Sequence, residues 1–130
     1  MFSKCSSLIG LNLNNFKTGN VIYMNSMFCQ CSSLKELNFH NFNTKNVTDM
    51  KFIFCGCSSL NKLNLNNFDF NNVIHREGIF SLCKSLKELD LNNFNANNVT
   101  NMNNMFVGCS YKLIMKIKTQ YKNIKEEAFY

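Results

Sequence analysis

The apolar positions of this chain recur with a period of 26 residues. Cysteines stand at 5, 31, 57, 83 and 109, and Met1-Phe2, Met27-Phe28, Ile53-Phe54, Ile79-Phe80 and Met105-Phe106 keep the same spacing without an insertion. Such repetition overrides segment-by-segment reading, because a unit that cannot bury its apolar face alone can bury it against its neighbours. Counting from each cysteine gives four complete units, 5–30, 31–56, 57–82 and 83–108. In the second unit nine positions are apolar: Cys31, Leu34, Leu37, Phe39, Phe42, Val47, Met50, Ile53 and Phe54. The other units agree in every cell but one, where Arg76 occupies the column of Met24, Met50 and Met102. A charge in that column is expected to turn out to solvent toward Glu77, because burying it unpaired is costly.

Two periodicities divide the unit. Leu34-x-x-Leu37-x-Phe39 contains the alternation of a short strand with one buried face. Val47-x-x-Met50-x-x-Ile53-Phe54 recurs at three and four, as on one face of a short helical turn. The pattern predicts an α/β repeat solenoid over residues 1–110, with a parallel sheet of one short strand per unit and helical turns on the other side. Residues 111–130 leave the repeat. Leu113, Ile117, Tyr121, Ile124 and Ala128 share one helical face, which predicts an amphipathic helix capping the array.

Two asparagine columns accompany the core. Asn15, Asn41, Asn67 and Asn93 precede the core Phe, and Asn20, Asn46, Asn72 and Asn98 precede the core Val. A side-chain amide has the donors to bridge backbone groups between turns, and Asn also suits the turn and helix start before Val-x-x-Met. Asn46-Val-Thr48 and Asn98-Val-Thr100 match the glycosylation sequon, but this structural role accounts for them without sugar.

The unit CSSLKELNFHNFNTKNVTDM followed by Ile-Phe or Met-Phe resembles the 26-residue repeat of the BspA-like leucine-rich repeat surface proteins of bacteria, over residues 1–110. The resemblance implies a leucine-rich-repeat-like solenoid used at cell surfaces for adhesion or recognition, and no catalytic residues. It therefore implies a surface or secreted location. The opening residues carry no charged stretch leading into an apolar core, so no secretory signal is visible, and a cytoplasmic location is the alternative expectation.

Composition modifies this picture in few places. The 130 residues hold 24 Asn, 13 Phe, no Pro and no Trp, much of it a few columns multiplied by the number of units. Aromatic content of 13% within 45% hydrophobic residues excludes a disordered chain. No apolar run approaches the length of a transmembrane helix. The net charge is +6, and half of it lies in residues 111–130, where five Lys face Glu126 and Glu127. The Lys-rich tail makes an anionic membrane or nucleic acid a weaker alternative partner.

Candidate chemistry is sparse. Cys29, Cys31, Cys55 and Cys57 could close a four-thiolate zinc site, and Cys29 with Cys55 could form a disulfide. Seven cysteines are an odd number for a disulfide framework, and cysteine commonly packs as a small hydrophobe, so buried free thiols are the preferred reading, with no metal and no cofactor. His40 and His75 sit in different halves of different units, with no nucleophile arranged beside them. The better surface is the polar side of the strands: Glu36, Asn38 and His40, then Lys62, Asn64 and Asn66, then Glu88, Asp90 and Asn92. These residues are expected to lie side by side as a ligand-binding face. The function expected is non-enzymatic recognition of a protein or surface glycan by an adhesin-like module, with an intracellular protein-interaction scaffold as the alternative. Leu8, Leu11 and Leu13 are expected to lie open at the first unit, inviting end-to-end self-association.

Overall fold

Turns, more than strands or helices, carry this architecture. The structure is a computed structural model and describes residues 1–97 and 99–130. Among the described residues the regular elements are β1 (Glu36–Leu37), β2 (Lys62–Leu63), α1 (Tyr111–Gln120) and a 3-10 helix at Glu126–Phe129. β1 and β2 pair in parallel, Glu36 with Lys62 and Leu37 with Leu63. The expected α/β leucine-rich-repeat-like solenoid, with a strand in every unit, helical turns opposite and a capping helix over 111–130, is overturned by this inventory: most of the chain is loop. What recurs every 26 residues is a pattern of burial and hydrogen bonding carried by turns and extended chain.

The helical turns fail because their backbone donors point in two directions. Met27, Cys29 and Cys31 donate three residues back, to Met24, Ser26 and Phe28 carbonyls at 3.3, 3.2 and 3.1 Å. The alternate donors Met24, Ser26, Phe28 and Gln30 reach the next unit, at Asp49, Lys51, Ile53 and Cys55 carbonyls, over 2.9, 2.8, 2.9 and 2.6 Å. An α-helix directs these donors back along its own chain, so this division excludes it. Left-handed backbone at two positions per unit produces the alternation: φ is 55° at Ser26 and 61° at Gln30, then 56° at Phe52 and 73° at Gly56. The three-residue spacing of Val47, Met50 and Ile53 is that of successive tight turns.

The strands are short for a related reason. Alternation within Leu37-x-Phe39 spans one step, and the extended segment is then ended by Asn38, whose side chain accepts the His40 N–H at 2.9 Å. Elsewhere the units meet through isolated parallel bridges linking Tyr23, Asp49, His75 and Asn101 in succession.

Burial follows the sequence columns closely. All nine positions of the second, third and fourth units are buried, including the strand leucines Leu37, Leu63 and Leu89. Phe2, Phe28, Phe54, Phe80, Phe106 and Phe129 stack in one line, with successive centroids 5.6, 5.9, 6.0, 5.6 and 5.4 Å apart. The asparagine columns bridge units as expected. Asn41 and Asn67 Nδ2 donate to Asn14 and His40 carbonyls at 2.8 and 3.0 Å, and Asn46 and Asn72 Nδ2 donate to Gly19 and Lys45 carbonyls at 2.8 and 2.7 Å. Asn98 lies outside the described residues. These amides look back to the preceding unit and do not start helices.

Arg76 corrects the expectation that it reaches solvent. It is fully buried, with Nε on the Val73 carbonyl at 2.9 Å, Nη1 on the Asn95 carbonyl at 2.6 Å and Nη2 on the Phe70 carbonyl at 2.7 Å. Its guanidinium also lies 4.3 Å from the Phe94 ring centroid. Burial pulls its pKa down to about 10, so it remains charged at neutral pH.

The tail is two short elements. Ser110 Oγ accepts the Leu113 N–H at 3.3 Å to open α1, which ends at Tyr121. After a turn, the 3-10 segment lies on the last unit: Asn104 and Phe106 N–H donate to Glu127 and Ala128 carbonyls at 3.1 and 2.8 Å. The residues expected on one helical face do point inward, with Leu113, Ile117, Ile124 and Ala128 buried and Tyr121 half-buried. A single helix of twenty residues would be about 30 Å long, so the break is what brings Ala128 and Phe129 onto Phe106.

Candidate functional site

The strand face is built on a buried leucine column. Because side chains alternate along extended chain, fixing Leu37, Leu63 and Leu89 inward sends their neighbours outward. All nine candidate residues are exposed: Glu36, Asn38, His40, Lys62, Asn64, Asn66, Glu88, Asp90 and Asn92. Three adjoining grooves cross the face. Glu36, Asn38, Lys62 and Asn64 line one of about 300 Å³, and Lys62, Asn64, Asn66, Glu88 and Asp90 line one of about 480 Å³. The largest, about 910 Å³, lies between Glu88–Asn92 and α1. Eight of the nine residues therefore line one run of concave surface, whereas His40 lies outside these grooves.

Besides Glu88, which lies beside Lys116, three of the nine side chains bond their own backbone. Asn38, Asn64 and Asp90 each accept, through Oδ1, the backbone N–H two residues on, at 2.9 Å in every case. These local turns end the extended segments. Glu36, Lys62, Asn66 and Asn92 make no side-chain hydrogen bond among the described residues and present their polar heads outward. Across the units the charges alternate, Glu36, Lys62, Glu88 and then Lys116 of α1, whose Nζ lies 3.7 Å from Glu88 Oε1.

Helix α1 forms the wall of the largest groove, and the sequence pattern did not anticipate it. Tyr121 Oη accepts the Leu91 N–H at 3.0 Å and lies 3.5 Å from Asp90 Oδ1. Tyr111 and Met115 line the groove as exposed residues, four apart and off the Leu113–Ile117 stripe. That pair, two large side chains with apolar surface on the face that amphipathicity assigns to solvent, was the available signal.

The cysteines separate into two kinds. Cys31, Cys57 and Cys83 are buried, and each thiol donates to a carbonyl of the preceding unit, at Phe2, Phe28 and Phe54 over 3.0, 3.1 and 3.2 Å. Burial pushes the Cys57 thiol up to about 12 and that of Cys109 up to about 11. Cys29 and Cys55 are half-buried, and all seven thiols are free. Among the described residues no group of three or more His, Cys, Asp or Glu is arranged to hold a metal ion, and no helix is long and apolar enough to cross a membrane. Asn46 and Thr48 of the sequon column face Gly19 and Ile22 carbonyls at 2.8 and 3.5 Å.

A repeat-built face of exposed polar side chains over buried leucines marks the chain as a repeat-like protein. The chain belongs to the family described as Mycoplasma protein of unknown function, DUF285, whose model matches residues 1–118. No curated protein and no solved structure matches it.

Proposed function

We propose that this chain is a non-enzymatic recognition module that binds a protein or surface-glycan ligand through the face running from Glu36 to Asn92. The observation that carries this reading is the row of adjoining grooves lined by eight exposed polar residues over a buried leucine column. A concave run of exposed polar side chains on a buried apolar support is suited to engaging a macromolecule. The resemblance of the unit to the BspA-like surface repeat supports an adhesin-like role at the cell surface or in secreted form. An intracellular scaffold is the second reading, favoured by seven free thiols, which suit a reducing compartment. Binding to anionic surfaces through the tail is less favoured, because Lys116 and Lys118 are already paired with Glu88 and Glu126 at 3.7 and 3.0 Å. The expected basis for self-association through the first unit is overturned: Leu13 is buried, and Leu8 and Leu11 are half-buried against the core. The exposed apolar residues there are Ile9, Ile22 and Tyr23; an Ile9→Lys variant that sediments like the parent at every concentration would remove this reading.

The test is binding of the full chain to arrays of immobilised matrix glycoproteins and glycans. Charge reversal at Glu36, Lys62 and Glu88 together is expected to abolish binding, while reversal at Lys45, exposed and outside these grooves, leaves it intact. Equal binding by both variants would refute the face.

A further inference from the structure

We infer that the backbone edge at Lys87–Asp90 takes up an extended peptide segment of a partner protein as an added strand, in the groove beside α1. The inference rests on the recognition reading above and names its partner. By the 26-residue register, Glu88 and Leu89 correspond to Glu36–Leu37 and Lys62–Leu63, the residues of β1 and β2. Those two segments are hydrogen-bonded to each other. Among the described residues no backbone hydrogen bond joins Lys87–Asp90 to any other segment. The segment is nonetheless held in place, since Leu89 is buried beneath it and the following Leu91 N–H is bound by Tyr121 Oη.

Lys87–Asp90 is not itself a strand, but an immobilised segment with unpaired backbone groups can template another chain as a strand edge does. A peptide that adds to it gains affinity from main-chain bonds and specificity from alternate side chains. The groove is suited to this occupant. The Tyr121 and Lys116 links tie α1 to the ends of this segment, and a trough of about 910 Å³ lies between them. Met115 and Tyr111, 43% and 78% exposed, offer apolar surface on the far wall. The near wall carries the exposed carboxylates of Glu88 and Asp90, each with one oxygen already engaged, by Lys116 at 3.7 Å and by the Asn92 N–H at 2.9 Å, and a second oxygen left over. The occupant is therefore a segment of alternating apolar and polar residues, with a basic residue among the polar ones. A glycan could meet the carboxylates and Tyr111, but it would leave the backbone edge unpaired.

The chain's own segment Ser59–Asn66, SLNKLNLN, has this alternation and a lysine, so the synthetic peptide serves as the probe. Added to the isotope-labelled full chain, it is expected to bind saturably and to slow amide exchange at Lys87–Asp90 by about tenfold or more. Met115→Glu, at a partly exposed position, is expected to weaken binding by about tenfold with an unchanged circular dichroism spectrum. No binding at millimolar peptide, protection at Ile9 in place of Lys87–Asp90, or undiminished binding by Met115→Glu would overturn the inference. So would concentration-dependent protection of Lys87–Asp90 without peptide, which assigns the edge to a second copy. If the peptide fails while charge reversal at Glu36, Lys62 and Glu88 still abolishes array binding, strand addition falls and the recognition reading stands.

Discussion

The third unit departs from its neighbours at two linked residues, and their chemistry explains each other. In the first two units Thr18 and Thr44 donate their hydroxyls to Asn43 and Asp69 carbonyls at 3.0 and 3.1 Å. The same column in the third unit holds Phe70, which has no hydroxyl, and the equivalent carbonyl belongs to Asn95. Arg76 Nη1 takes that carbonyl at 2.6 Å and Nη2 takes the Phe70 carbonyl itself. A charge without a carboxylate partner is tolerated because three carbonyls and a ring face solvate it. Arg76→Met, which restores the repeat consensus, is accordingly expected to destabilise the protein by about 2–4 kcal/mol in urea unfolding, since it strands carbonyls that a charged donor satisfied. Adding Phe70→Thr should recover about 1 kcal/mol or more of that loss by returning a hydroxyl to Asn95. A second residue-scale consequence concerns the thiols. Burial raises the folded pKa of Cys31, Cys55, Cys57, Cys83 and Cys109 above the unfolded value near 9, to about 12 for Cys57, so at these thiols the folded state retains a proton that the unfolded state releases. The associated stability is fully present below pH 9 and falls as pH rises toward 12, by about 1.4 kcal/mol per pH unit per thiol. Comparing Cys57→Ala with the parent by thermal unfolding across pH 8–10.5 isolates this slope, which the variant should flatten by one thiol.

Elements are where local pattern and structure part. The burial columns were legible, and so was the outward direction of the nine polar residues, because both follow from side-chain alternation around a leucine. The element types were not. Spacing at three and four fits a helix and equally fits consecutive three-residue turns, and the deciding fact, that alternate N–H groups bond 25 residues ahead, has no local signature. Left-handed φ at Lys4, Ser26, Gln30, Phe52, Leu82 and Asn104 was likewise hidden, since these residue types, apart from Asn, do not announce it. Glycine marks the site at only some units. Gly78, at φ 58°, lies beneath the Phe52 ring, into which an added Cβ would run. Gly78→Ala is therefore expected to cost about 2–3 kcal/mol, of which about 1–2 kcal/mol is left-handed backbone strain and the remainder displacement of the ring. In a Phe52→Ala background the same substitution should cost only the backbone part, measured as the coupling in a double-mutant cycle. An equal cost in both backgrounds would show that the ring moves aside freely.

At the scale of the whole molecule, the units are joined by nearest-neighbour bonds, so each depends on the next for its backbone partners as well as its apolar cover. Residues 111–130 leave the 26-residue register, and Glu126–Phe129 supplies the fourth unit with the partners a repeat in register would give it. Phe129 comes 23 residues after Phe106 and not 26, yet its ring stacks on Phe106 at 5.4 Å and the adjoining Glu127 and Ala128 carbonyls accept the Asn104 and Phe106 N–H groups. The tail thus meets the repeat by geometry without sharing its sequence, which is why periodicity located four of its buried residues but neither Phe129 nor its fold. Truncating Phe129 to Ala is expected to cost about 3 kcal/mol, toward the low end for a buried Phe because Phe129 remains 8% exposed. Because the lost contact touches one unit directly, the damage should be graded. Amide exchange should accelerate first at Met105–Cys109, with Cys31–Cys57 changing least. Uniform acceleration across all four units would mean instead that the array opens as one cooperative body, and that the tail stabilises the first unit as much as the last.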